Sequence, residues 1–334
     1  MPVVNYWRDT PYLKRYPVIA GALAGLVLRI IFSGGGGSYF SPMVGAFIFG
    51  APIFIGMLTV YLAERTQRRD WRYYFTAPIV ASLLFIAGTL ALMIEGLICA
   101  IVIVPMFVIL GGLGGLLMGL ICRLTNWPSP PLLCAGALPL ALALLGPLIP
   151  TPSATGFIER NIVIDAPPSV VWQSINDIRD IDAEEMADVL AMRIGVPAPI
   201  SGVTLETPEG RIRQSHWGKH VHFEEIIQDW QPDQFVRWTY RFSPDSFPRR
   251  ALDDHVVIGG HYFDLIDTAF VLQPAGDGGS TRVTTLVRYR IATQFNFYAN
   301  WVAQIVLGNL SDAGLELYKS RSEQPAAAAA GTTS

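Results

Sequence analysis

The chain has 334 residues, of which 51% are hydrophobic and only 15% charged, and its formal net charge is −3. That near-neutral sum hides a division. Residues 1–150 carry nine Lys or Arg against four Asp or Glu, whereas residues 151–334 carry fifteen against twenty-three, together with all five histidines. An acidic second half excludes nucleic acid as a partner, because neutralising phosphates takes a clustered basic surface. Cys99, Cys122 and Cys134 all fall in apolar stretches of the first half, so the second half has no disulfide and the chain has no C-x-x-C metal or thiol motif.

Crossing the hydrocarbon core of a bilayer as a helix takes about 20 apolar residues. Five stretches approach that length: 17–33, 43–62, 76–94, 97–122 and 132–149. The third and fourth lie in one apolar run, which as a single helix would reach about 70 Å against a core of about 30 Å. The chain therefore folds back there, and Glu95-Gly96 is the polar break. Pro139 and Pro147 leave the fifth stretch open to a full crossing or a re-entrant segment. Basic residues set the direction. With residues 1–16 as a cytoplasmic segment, Arg8, Lys14, Arg15, Arg65, Arg68, Arg69, Arg72 and Arg123 all lie inside, while the outer loop SGGGGSYFSP and the turn at Glu95 hold no Lys or Arg. Five crossings in a bundle over 17–150 would leave the rest of the chain on the outer face of the inner (cell) membrane, the periplasm in a bacterium. Gly21 and Gly25, and Gly111, Gly115 and Gly119, recur at helical spacing and read first as packing within the bundle, second as a dimer interface. Arg29 either pairs with Glu95 at similar depth or snorkels to the headgroups. Repeated intramembrane carboxylates are missing, which speaks against a transporter or proton relay.

Residues 157–322 read as a single α+β domain. A strand at 157–165 ends at Ala166-Pro167-Pro168, which starts a helix at 169–177, and a second helical stretch covers 183–193. Extended segments follow at 199–206, 210–217, 220–228, 234–242, 258–273 and 281–291, separated by turn signals such as Thr207-Pro208-Glu209-Gly210 and Gly218-Lys219. The last element is a helix over 295–321 whose Tyr298, Trp301, Val302, Ile305, Val306, Leu310, Ala313 and Leu317 make one apolar face. The Ala-rich tail, 323–334, is expected to be disordered.

The opening IVIDAPPSVVWQSIND, the hairpin GGHYFDLIDTAFVLQPAGDGGSTRVTTLVRY and the amphipathic last helix together resemble the START-like, SRPBCC or helix-grip superfamily, which includes polyketide cyclases and dehydrases and lipid or quinone carriers. The resemblance covers about half the chain and lies in the order of elements. It implies a curved antiparallel sheet around the long C-terminal helix, with a cavity between them for a hydrophobic ligand. It implies no reaction, because that superfamily has no shared catalytic signature to carry over.

Strand parity supplies the candidate walls. Trp238, Tyr240 and Phe242 share a face with Val236, opposite Arg237, Thr239 and Arg241; Tyr289 shares one with Val283, Thr285, Val287 and Ile291. Across the space from Trp238, Tyr240 and Tyr289, the last helix offers Trp301 and Ile305. If Gly218-Lys219 is a two-residue turn, His216 pairs with Val221, and Gln214 and His216 share an inward face with Val221 and Phe223, making His216 the polar handle. That register turns His216 away from His220 and His222, so no metal is expected, and no cofactor. The paired carboxylates Glu224-Glu225 and Asp253-Asp254 read as solvated; Asp264 and Asp267 fall on opposite faces, and a bulge at Gly259-Gly260 leaves open which of the two points inward. The expectation is a membrane-integral binding protein for a lipid, quinone or polyketide-like molecule, with no reading of protein partners. The alternatives are a cyclase or dehydratase, which needs converging polar groups in the cavity, and a structural or assembly protein with a collapsed cavity.

Overall fold

The computed structural model describes residues 17–125, 151–186, 188–248, 251–253, 255–276 and 279–330, with backbone alone from 324 onward. The chain divides into two compact units, Met1–Thr151 and Pro152–Ser334.

The first unit contains α1 (Pro17–Ile31), α2 (Gly45–Glu64), α3 (Trp71–Ala91) and α4 (Leu97–Leu124). Three of these, α2, α3 and α4, are long and apolar enough to cross a membrane; α1 is apolar but has 15 residues. At 1.5 Å per residue α1 extends about 22 Å, short of the core thickness, because the Gly-rich loop after Phe32 ends it. The expected stretch at 132–149 lies outside the described residues. Helix α3 starts five residues earlier than its hydropathy alone indicates, since the Asp70 carboxylate accepts from the Tyr73 amide at 3.0 Å and caps it. The fold-back between α3 and α4 falls at Leu92–Gly96, where Met93 takes a left-handed φ of 53°.

Within this unit the glycine rows serve close helix packing. A Cβ on Gly56 would meet the Gly111 carbonyl at 2.0 Å, and one on Gly115 the Tyr74 carbonyl at 2.1 Å. Where lipid offers no hydrophobic drive, such backbone approach is what holds helices together. Arg29 and Glu95 pair, Nε to Oε1 at 2.5 Å, with both side chains under a tenth exposed, and Arg29 also donates to the Phe32 carbonyl. Elsewhere in the unit Arg123 reaches the Arg69 carbonyl and lies over the Trp71 ring, so the arginines of the α2–α3 connection and of the α4 terminus gather together.

The second unit is one antiparallel sheet of eight strands in the order β1-β8-β7-β6-β5-β4-β3-β2. These are β1 (Ser153–Ile164), β2 (Asp177–Ile178), β3 (Pro199–Thr207), β4 (Gly210–Trp217), β5 (Val221–Gln231), β6 (Phe235–Arg241), β7 (Phe263–Ala275) and β8 (Ser280–Ala292). Strands β3 to β8 form a meander, and β1 closes against β8 from the other end of the chain. Helix α5 (Pro168–Asn176) follows β1, with Pro at its first position where no amide partner is needed. The expected helix at 183–193 is instead a 3₁₀ turn, Ala183–Met186, and a short α6, Leu190–Arg193. The last helix, α7, runs from Asn296 to Ala330, so its backbone continues through much of the tail expected to be disordered.

The core sits between the sheet and α7. Ile164, Val171, Trp172, Ile175, Val236, Trp238, Phe270, Leu272, Val283 and Leu315 form its main cluster. Beside it Ile158, Tyr289 and Ile291 pack under Ala299, Ala303 and Leu307 of α7. Each fully buried large side chain contributes about 1.5 to 3 kcal/mol relative to exposure, so the grip of sheet on helix rests on these apolar contacts.

Candidate binding site

The inner face of the sheet carries an unexpected charge pair. Strand β4 alternates so that Arg213, Ser215 and Trp217 point in while Gln214 and His216 are exposed. Opposite them on β5, Val221, Phe223 and Glu225 are buried. Arg213 and Glu225 are directly cross-strand, and Arg213 Nη1 donates to Glu225 Oε2 at 2.5 Å and to Ser215 Oγ at 3.0 Å. Both side chains are 7% exposed. The guanidinium lies 5.3 Å from the Trp238 ring centroid, a cation–π geometry. It also lies against β3 at Gly202, where a Cβ would come within 2.0 Å of Arg213 Nη2; any side chain there would displace the arginine.

Three more groups surround the pair. Tyr240 and Thr268 share a hydroxyl–hydroxyl bond of 2.6 Å. Tyr318 of α7 packs edge-on against Phe270 at 5.7 Å and lies in the electrostatic reach of Arg213. Burial pushes the phenols of Tyr240 and Tyr318 above the ordinary tyrosine range, so both remain neutral hydrogen-bonding groups. For Arg213, burial is the largest single influence and acts to lower its pKa; Glu225, Tyr318 and Tyr240 together outweigh it and hold the guanidinium charged.

Two donors in this cluster close no hydrogen bond: Arg213 Nε and Trp238 Nε1. The Trp238 N–H lies close enough to influence the Tyr240 phenol, yet forms no bonded geometry with it. Buried donors are almost always paired, and leaving one unpaired costs about 1 to 3 kcal/mol. The indole N–H and the guanidinium N–H can donate to an acceptor oxygen, beside two neutral phenols.

The residues expected from the sequence separate into three groups. Trp238 and Tyr240 point inward as parity required, and Trp238 is 3% exposed against Phe270. Phe242 stacks on Tyr240 in a neighbouring cluster with Phe223, Phe247 and Ala251. Tyr289 is also inward, but its hydroxyl donates to Asn300 and accepts from Gln304, so it fastens α7 to the sheet.

The other four are corrected. Gln214 and His216 lie on the outer face, because the β4–β5 turn has three residues, Gly218-Lys219-His220, with Lys219 and His220 at φ of 55° and 60°. Trp217 then pairs with Val221 and His216 with His222, one step away from the two-residue register. Trp301 and Ile305 are 55% and 41% exposed, since α7 turns its smaller residues Ala299 and Ala303 to the sheet.

Glu225 is the converse case, buried where a solvated carboxylate was expected; sharing parity with Phe223 is the signal that would have found it. Arg213 had no such signal, because the alternation Arg211-Ile212-Arg213 reads as Ile212 in and the arginines out, whereas Ile212 and Arg213 are both buried, at 7% and 6%. Neither Asp264 nor Asp267 points in. A bulge between Leu265 and Asp267 switches the inward parity, so Phe263 and Leu265 face Tyr289 while Asp267 is held by Arg288 and Arg237 on the outer side. Among the described residues no group of three or more His, Cys, Asp or Glu is placed to hold a metal ion.

No family model matches the sequence, and no curated protein matches it. Among solved structures, similarity is found to the Zhui aromatase/cyclase from Streptomyces sp. R1128, at 15% identity over 51% of this chain and 95% of that one, with a TM-score of 0.30. A START superfamily protein from Mycobacterium smegmatis is 11% identical over 50% of this chain and 97% of that one, with a TM-score of 0.33. Norcoclaurine synthase from Thalictrum flavum is 13% identical over 50% and 96%, with a TM-score of 0.29. The fold follows from the order of the strands and the placement of the last helix. A curled eight-stranded antiparallel sheet around a long C-terminal helix is a helix-grip fold, and in this chain it follows an N-terminal region with three long apolar helices.

Proposed function

We propose that this chain is a membrane-anchored binding protein whose helix-grip domain holds a largely apolar small molecule, a lipid, quinone or polyketide-like compound, by an oxygen acceptor. The observation that carries the reading is the pair of unpartnered buried donors, Arg213 Nε and Trp238 Nε1, set among apolar core residues. Oxygen acceptors of a bound molecule would satisfy these donors, and the aromatic surroundings would accept its apolar part. A cyclase or dehydratase is less well supported, because the carboxylate of this cluster is already engaged by Arg213 and the phenols are held neutral.

The test uses the full chain in mild detergent. Small molecules released on denaturation are identified by mass spectrometry for the wild type and for Trp238→Phe, which removes the N–H and keeps an aromatic ring. One class of apolar, oxygen-bearing molecule should accompany the wild type near stoichiometry, and the variant should retain it about fivefold less well, the worth of one net hydrogen bond. Equal retention by a folded variant, or no molecule at all with the wild type, would overturn the reading.

The anchoring part places residues 1–16 in the cytoplasm and the domain outside the inner membrane. It is supported by the clustering of Arg69 and Arg123 and by the uncharged loop after α1. A reporter fused after residue 324 should behave as external and one inserted near Arg69 as cytoplasmic. A cytoplasmic signal from the first fusion would remove the fifth crossing and the outer placement together.

A further inference from the structure

The outward face of α7 is divided. Its first three turns expose Phe297, Trp301 and Ile305, at 74%, 55% and 41% of their surface, in one row at four-residue spacing. Further along, the residues that face out are polar, Asp312, Glu316 and Ser320. A row of large apolar groups about 12 Å long on the outside of a helix that already buries its other side is not explained by the core.

Its position along the chain suggests the occupant. The α7 start is tied to the domain entrance, since Asn296 Nδ2 donates to the Pro152 carbonyl at 2.7 Å. The apolar sequence stretch at 132–149 ends three residues before Pro152, a distance that extended chain spans in about 10 Å. The exposed row thus begins in the turn tied to Pro152, which in sequence follows the apolar stretch by three residues, and the outward face turns acidic with distance from that turn. Alongside, the Phe157 carbonyl on the edge strand accepts from Gln304 at 3.1 Å and holds this part of the helix against β1.

We propose that Phe297, Trp301 and Ile305 rest in the interfacial layer of a phospholipid bilayer, so that α7 lies on the membrane through its first three turns. Tryptophan favours this layer because its ring is apolar and its N–H finds water or headgroups. The row carries no charge, so anionic lipid is not required and salt has little effect. The proposal rests on the anchoring proposed above, and a helix held at the interface beneath the sheet would set the binding site next to the source of an apolar ligand.

The experiment reconstitutes the full chain in phosphatidylcholine vesicles in which a fraction of the lipid is brominated near the headgroup end of one acyl chain. Tryptophan emission is compared for the wild type, Trp301→Phe and Trp71→Phe. Trp71 opens α3 and is 46% exposed, so it reports on the anchor. Contact between α7 and lipid predicts that Trp301→Phe removes one tryptophan's share of the bromine-quenched emission, in low and high salt alike. If Trp71→Phe lowers the quenched share and Trp301→Phe does not, the anchor stands and the α7 proposal falls; a second copy covering the row would give this result. If neither variant changes it, the anchoring reading falls as well.

Discussion

Replacing Arg213 with Met should cost the helix-grip domain about 3 to 5 kcal/mol, because it leaves the Glu225 carboxylate buried without its partner. The magnitude follows from the geometry. The two side chains are 7% exposed, the Nη1–Oε2 contact is 2.5 Å, and the same guanidinium supports Ser215 and stacks on Trp238. Glu225→Leu alone should be similarly damaging, since it strands the arginine. Arg213→Met combined with Glu225→Leu should recover much of the loss, because replacing both members of a buried pair by apolar groups removes two desolvation costs at once. Denaturation of the full chain, following the transition of the second unit, measures all three variants. A double variant as unstable as the sum of the singles would mean that the two residues act independently. Native-like stability of Arg213→Met would show that Glu225 reaches water. The variants also bear on binding: a double variant that folds but has lost its small molecule would separate the ligand role of Arg213 from its structural one.

The second large effect belongs to the first unit. Arg29→Leu or Glu95→Gln should destabilise the helical region by about 3 to 5 kcal/mol, more than an exposed ion pair is worth, because both groups are under a tenth exposed among apolar helices. An uncompensated charge in such surroundings is costlier still if the unit lies in lipid. Arg29→Leu combined with Glu95→Gln should cost less than the two single changes added together. Unfolding by a denaturing detergent, read from helix content, gives the cycle, and strict additivity would favour an arginine that reaches the headgroups alone.

Much of this protein was legible in one dimension. The apolar runs over 43–62 and 97–122 became α2 and α4 nearly residue for residue, because a long uncharged segment has few alternatives to a helix. The inward set Val236, Trp238 and Tyr240 followed from parity, since Arg237, Thr239 and Arg241 leave that strand only one face to bury. The order of strands and final helix sufficed for the fold class.

The site was not legible in the same way. Counting two residues instead of three in the β4–β5 turn shifts the pairing by one, and a one-residue shift exchanges the faces of a strand; this put His216 inside and Arg213 outside. One bulged residue, Ile266, reversed parity midway along β7 and sent both candidate aspartates outward. On α7 the sequence offers two apolar stripes, one through Ala299, Ala303 and Leu307 and one through Phe297, Trp301 and Ile305, and hydrophobicity alone favours the larger residues.

By itself, the sequence determined most of the helices and strands, 183–193 excepted, and the faces of a cleanly alternating strand such as β6, because these follow from local periodicity. Only the tertiary structure decided which face of an ambiguous element is covered. That choice depends on turn length, on a bulge and on the close approach of α7 to β1 and β8, where small residues let the helix reach the sheet. Those three long-range conditions buried Arg213 against Glu225 and left Trp301 on the surface.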